Sequence, residues 1–351
     1  MKTLPLAVGG LLTCFALPAI AADVSATDHL HVFHHENVLG TSLEMKVLAA
    51  APRDAERAET IALAEIDRLA HILSCYETTS EVSRWLRTSG TPVAVSVELY
   101  ELLGLFDQWR ERSNGALDAA AAKVCHVWQT AAAQDRLPEP ATIADAVAAV
   151  KQLHWSLDPV AHTATHLTDV PLVFNSFAKS YIASHACDVA MAAANVDALV
   201  VNIGGDLVVR GDLTETVDIA NPQADAENDP PLARVRVRDV AVATSGNYRR
   251  GVAIGGKGFS HIVDPRNGQP VAHVLSATVV APNAADAGAL ATACCVLQPE
   301  ASLRLVASRP AAECLLLTAD GRRLASKGWQ ALENSPQQLA SGDDIRGLLT
   351  A

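Results

Sequence analysis

Beyond residue 165 the chain is a succession of short apolar runs, each cut off by Gly, Pro, Asn or Asp: HLTDVPLVF, ALVVNIGGDLVVRG, RVRVRDVAVAT, SHIVDP and LSATVVAP. Runs of this length, rich in Val, Ile, Leu and Thr, form strands. Parallel neighbours need a long crossover between them, and helical patterns are not regularly interleaved here, so a mostly antiparallel sheet is expected. Ahead of it, helical periodicity dominates. Residues 52 to 74 place Leu63, Ile66, Ala70 and Leu73 on one face, with Arg, Glu and Asp opposite. Residues 98 to 113 follow a helical pattern until Asn114-Gly115 stops it, and LPEPATIADA opens a further helix at its Pro and Thr142. Residues 29 to 47 suggest two strands turning at Leu39-Gly40-Thr41. A helix from about Ala285 to Leu297 and an αβ passage through CLLLTADGRRLAS complete the pattern. The expected fold is α+β, a helical N-terminal half packed on a mostly antiparallel sheet.

The chain has 351 residues, half apolar and 19% charged, enough for a large core. A net charge of −12, with no run among 27 Lys and Arg residues, argues against a nucleic-acid partner. MKTLPLAVGGLLTCFALPAIAA reads as a secretory signal over residues 1 to 22: Lys2, an apolar stretch from Leu4 to Leu17, and Ala19-Ile20-Ala21 for cleavage. Residues 23 to 351 are then a single domain outside the cytoplasm, in the periplasm or its equivalent. Leu11-Leu12-Thr13-Cys14 is a poor lipoprotein box, since Thr precedes the Cys; weak membrane association would follow only from lipidation at Cys14. Six other Cys are irregularly spaced without C-x-x-C, which disfavours a zinc site. The His-rich run HLHVFHHE lacks a completing carboxylate or Cys spacing, and strand residues with partly exposed imidazoles are the simpler reading.

Several segments concentrate polar chemistry. Asn202-Ile203-Gly204-Gly205-Asp206 interrupts two apolar strands, where paired glycines allow a turn or close approach of a ligand. Ala243-Thr244-Ser245-Gly246-Asn247-Tyr248-Arg249-Arg250 offers hydroxyls and amides suited to a phosphate or a carbonyl edge. Lys179 opens a helical pattern just past an apolar run, where a phosphate could be gripped with help from the helix N-terminus. GFSHIVDPRNGQPV, residues 258 to 271, brings Ser260, His261 and Asp264 together. A Ser-His-Asp hydrolase is a weak reading, because adjacent strand residues face opposite sides.

Taken together and in this order, the runs LGTSLEMKV, SCYETTSEVSR, SNGALD with a Trp ten residues on, FAKSY, VNIGGD, ATSGNYRR, SHIVDPRNGQPV and SATVVAPNAADAGALATA resemble the ApbE family of FAD:protein FMN transferases. The resemblance covers nearly the whole chain after the leader. It implies FAD as substrate, Mg²⁺ as cofactor, and transfer of FMN to a Thr or Ser of an acceptor protein. It also implies a flavin site built from Leu39, Tyr76, Ala116, Leu117, Asp118, Lys179, His261 and Ile262, with His261 and Lys179 catalytic.

The implied metal residues are Ser176, Asp286 and Thr292. Two departures stand out: the family's Asp-Leu-Gly-Gly-x-Ala-Lys-Gly-Tyr reads Val173 to Tyr181 here, with Val173 for the Asp, and Gly288 replaces the metal-binding Asp one turn before Thr292. Asp286 lies six residues before Thr292, about 600° of helix rotation and so about 120° off its face, and could serve only from an irregular helix start. The alternative is a chain that binds FAD or a partner without transferring FMN.

Overall fold

The computed structural model describes residues 29–224, 229–247 and 251–333. The leader, Cys14, residues 225 to 228 of the polar NPQADAENDPP stretch (221 to 231) and Tyr248 to Arg250 lie outside these residues.

The chain opens with a hairpin of β1 (Leu30–Val38) and β2 (Thr41–Leu48). There follow α1 (Pro52–Leu73), α2 (Glu81–Trp85), β3 (Pro92–Ala94), α3 (Val97–Arg112), α4 (Ala121–Ala133), α5 (Pro140–Val150), β4 (Trp155–Asp158), β5 (Thr163–His166) and α6 (Ala178–Ala193). Next come β6 (Ala198–Ile203), β7 (Asp206–Gly211), β8 (Glu215–Ile219), β9 (Ala233–Val237), β10 (Ala241–Gly246), β11 (Gly251–Ile254) and β12 (Lys257–Ser260). The last are β13 (Val274–Ala281), α7 (Ala284–Val296), α8 (Pro299–Ala307), β14 (Glu313–Thr318), β15 (Arg323–Ala325) and α9 (Trp329–Glu333).

The expected α+β architecture is observed. The main sheet runs β1-β2-β6-β7-β10-β13-β14-β15, and the pairs along it are antiparallel. Strand alternation sorts its residues between two faces. Val201, Ile203, Val208, Ala241, Ala243 and Val279 join the main core, where α6 packs on β6 and β7 and α7 packs on β10 and β13. Val200, Leu207, Val209, Val242 and Leu315 face the other way, under the β8–β9 hairpin and Trp329 of α9.

Two expected strands fail for the same reason. HLTDVPLVF pairs only through His166, and the chain then runs irregularly to α6. SHIVDP leaves its strand at Ser260 and keeps a single bridge, Val263 to Pro270. Both runs contain a proline, which has no amide for a ladder. CYETTSEVSRW, in contrast, holds more order than a polar break: the Ser80 hydroxyl accepts from the Ser83 amide and starts α2.

Turns at one end of the sheet bring distant segments together. Leu39 and Gly40 form a two-residue hairpin tip with positive φ at both positions (49° and 75°), between the paired Val38 and Thr41, as a type I′ turn requires. Gly204 and Gly205 (φ 60° and 96°) turn β6 into β7 at the same end, with Thr41 directly against Gly204. Behind the sheet, Lys46 Nζ donates to Glu215 Oε1 at 2.7 Å with both side chains nearly buried. Removing Glu215 leaves the buried Lys46 ammonium with only the more distant Glu44 Oε1, at 3.5 Å. Glu215→Ala should therefore cost about 3 kcal/mol, measurable as a lower urea midpoint at unchanged m-value.

Candidate functional site

Past the end of β12 at Ser260, the rest of the 258–271 segment is a loop organised by Asp264. Its carboxylate accepts from Arg266 Nε at 2.8 Å and Nη2 at 2.7 Å and from the Arg266 amide at 2.9 Å. The Asp264 carbonyl accepts from the Gly268 amide at 2.8 Å, and Gly268 has φ 74°. Trp128 Nε1 donates to the Gly268 carbonyl at 2.8 Å, tying the loop to α4. His261 is exposed and Ile262 half-buried at its start. Ser260 Oγ accepts from the Ile262 amide at 3.0 Å, so this hydroxyl is engaged in a turn.

Ala116, Leu117 and Asp118 are all buried. Asp118 is held by Arg110 Nε at 2.9 Å and accepts from the Ala120 amide at 2.8 Å. Burial pushes its carboxyl up, and Arg110 opposes that rise. This arrangement makes the Asp118 side chain a buttress of the loop, and the loop in turn pairs Ala119 O with the Val173 amide at 3.0 Å. The segment that carries Val173 is therefore fastened to the one that carries Asp118.

Tyr76 is the most exposed aromatic of the group, at 78%. Ser74 Oγ accepts from the Tyr76 and Glu77 amides at 3.3 and 3.2 Å and so fixes the turn that presents it. Asn175 Nδ2 donates to its hydroxyl from the loop before α6. Neither Asn175 nor Ser74 stands out in the sequence.

The first turn of α6 presents Lys179, whose Nζ lies 3.9 Å from Asp206 Oδ2 at the start of β7. Burial raises the Asp206 pKa, while Lys179 and the Ser180 hydroxyl favour its ionised form. Thr292, near the C-terminal end of α7, sits over the same region. Its hydroxyl donates to the Ser176 carbonyl at 3.2 Å and lies 3.2 Å from Ser245 Oγ on β10. Thr292 and Ser176 are thus brought together.

Asp286 is not brought to them. Asn283 caps α7 by accepting from the Asp286 amide at 2.9 Å, so the helix starts regularly, and the Asp286 carboxylate takes Arg309 Nη2 at 2.5 Å. The irregular helix start that its use as a metal ligand demanded is absent. Gly288 also holds a surprise. A Cβ there would meet Ser180 Oγ at 2.6 Å and Phe177 Cβ at 2.9 Å, so this position has no room for the family's carboxylate without a backbone shift.

Comparison with known proteins decides the family. Residues 39–316 match the sequence model of the ApbE family. The chain belongs to the ApbE family. Among relatives, the FAD:protein FMN transferase of Treponema pallidum (strain Nichols) is 30% identical over 319 residues, covering 84% of this chain and 86% of the relative. The FAD:protein FMN transferase of Klebsiella pneumoniae (strain 342) is 28% identical over 281 residues, 76% of this chain and 79% of that one. The ApbE protein of Thermotoga maritima superposes with a TM-score of 0.75 at 23% identity, covering 87% of this chain and 99% of its own. The apo flavinyl transferase ApbE of Pseudomonas stutzeri gives 0.71 at 24% identity, covering 88% and 98%. The ApbE fold is shared throughout.

Reasoning from sequence missed Ser180 and Asn175, and it flagged the segments of Asp206 and Ser245 as polar turns without joining them to Lys179 and Thr292. For Asp206 a signal existed: it shares strand parity with the core residue Val208, and an acid on a core face needs a partner. Close packing at Gly288 generates a prediction. Gly288→Ala should destabilise the fold by about 1–3 kcal/mol through overpacking, and Ser180→Gly should recover part of that loss in the double variant, read by thermal unfolding.

Proposed function

We propose that this chain is an exported FAD:protein FMN transferase that cleaves FAD with Mg²⁺ and transfers FMN to a Thr or Ser hydroxyl of an acceptor protein. The observation that carries the reading is the meeting of the Thr292 hydroxyl and the Ser176 carbonyl at 3.2 Å, beside the helix start that bears Lys179. Membership of the ApbE family and the names of its relatives support the same activity. Export is supported by residues 1 to 22, which read as a secretory leader of the kind that directs chains to the periplasm or an equivalent compartment.

The residues suit a hard cation. Thr292 Oγ1, the Ser176 carbonyl and the nearby Ser245 hydroxyl are oxygen donors, as Mg²⁺ prefers. Bound there, the ion would neutralise pyrophosphate charge and make AMP a better leaving group. The protein's own task is placement and charge stabilisation. Lys179 supplies positive charge for a phosphate at the start of α6. Leu39, Tyr76 and Ile262 present apolar or aromatic surface for the flavin ring, and Ala116 of the buttressed 116–118 loop packs with Ile262. An acceptor hydroxyl oxygen bonds to the phosphorus of the FMN half; the bond to the AMP oxygen breaks, and AMP leaves with the electron pair. His261 is assigned to the hydroxyl proton.

A second reading, a chain that holds FAD without cutting it, draws on Gly288, where the family's carboxylate is missing. Incubation with FAD, with and without Mg²⁺, separates the two by AMP release. Magnesium-dependent AMP is expected; bound but uncut FAD would select the second reading. Lys179→Ala should weaken FAD binding about tenfold. Thr292→Ala should slow AMP release about tenfold while FAD affinity changes little. The two are measured by flavin fluorescence titration and by chromatography.

A further inference from the structure

The oxygens that Thr292 and Ser176 offer are neutral, and divalent sites of this kind ordinarily include an acid. Gly288 cannot supply one, and Asp286 is committed to Arg309 at 2.5 Å. The other acid that reaches this region comes from the sheet. We infer that Asp206 is the carboxylate ligand of the cation, with the Ser180 hydroxyl as a neighbouring oxygen; this rests on the magnesium-dependent reading above.

Three independent observations converge on it. Strand alternation puts Asp206 on the face of Val208, Ala241 and Ala243, the face that α6 and α7 cover. Leu207 pairs with Val242 and Val208 with Ala241; continued by one residue past these pairs, the same register sets Asp206 opposite Ala243, two residues from Ser245. Ser245 shares that face and touches Thr292 at 3.2 Å. Lastly, Ser180 Oγ is fully buried in a residue only 2% exposed, and it makes no hydrogen bond of ordinary geometry, although it lies near enough to the Asp206 carboxylate to favour its ionised form. That oxygen occupies the space beside Gly288 where a side chain would begin, 2.6 Å from an added Cβ. Gly288 lies one helical turn before Thr292. Buried hydroxyls without partners are uncommon, and a bound ion is one of the things that satisfies them.

The chain thus moves the acid from helix to sheet. Where relatives of the resembled pattern carry Asp on α7 and Gly in the first turn of α6, this chain carries Gly288 and Ser180, and the carboxylate enters from β7. Lys179, 3.9 Å from Asp206, stands as its counter-charge. A lysine held at that distance is free to turn toward a phosphate of FAD while the cation takes its place beside the acid.

Mn²⁺, a spin-active substitute for Mg²⁺, tests this by electron paramagnetic resonance titration of the full chain with FAD present. Asp206→Asn should weaken Mn²⁺ binding at least about tenfold, whereas Asp212→Asn, at an exposed ion pair with Arg238, should leave it unchanged. Asp206→Cys should exchange Mn²⁺ preference for Cd²⁺, since thiolate favours soft metals. Its signature is an ultraviolet thiolate-to-cadmium band above the wild-type background, which a merely structural role would not produce. Asp206→Asn that stays folded by circular dichroism and binds Mn²⁺ as the wild type does, together with no cadmium band in Asp206→Cys, would overturn the assignment while leaving the magnesium-dependent reading standing. A wild type that binds no Mn²⁺ in the presence of FAD would overturn both.

Discussion

How closely α7 lies against the sheet and against the start of α6 sets the rest of the site. Its sequence, AADAGALATACCV, is almost entirely small and apolar, and every residue except Asp286 and Thr292 is buried. A helix apolar all round belongs in a core, and small side chains let its axis come near its neighbours. That nearness puts the Thr292 hydroxyl on the Ser176 carbonyl, and it also closes the space beside Gly288.

The acids of the site divide by how tightly they are held. Asp118 with Arg110 at 2.9 Å, Asp264 with Arg266 at 2.7 Å and Asp286 with Arg309 at 2.5 Å are close, partly buried contacts, each bracing a loop or a helix end. Charge-assisted pairs of this geometry are the strong ones. Asp206 with Lys179 at 3.9 Å is looser. Three of the four therefore serve the scaffold, and the fourth has a partner that can be exchanged.

Much of this was legible before any coordinates. The hairpins at Leu39-Gly40 and Gly204-Gly205 follow from glycine turns between alternating strands, and α1, α3 and α7 follow from periodicity and stop signals. Lys179 and Thr292 were named from local pattern and family resemblance. Apolar composition alone misread residues 167–174 and 261–265, because it does not register a proline's missing amide. Asp206 was hidden for a different reason: its face can be read from parity, but the register that sets its strand beside that of Ser245 exists only once β7 pairs with β10. The Asn175 contact with Tyr76 joins residues 99 apart, beyond the reach of any local rule.

The tip of the first hairpin carries a further implication. A type I′ turn favours Asn or Gly at its first central position, yet Leu39 sits there with φ 49°, a conformation that costs an ordinary side chain about 1 kcal/mol. Turn chemistry alone would have selected a different residue. The Leu39 side chain is half-buried and packs against the main core, so backbone ease and side-chain packing pull toward different amino acids at this tip, and a relaxed turn there would loosen the hairpin from the body of the protein.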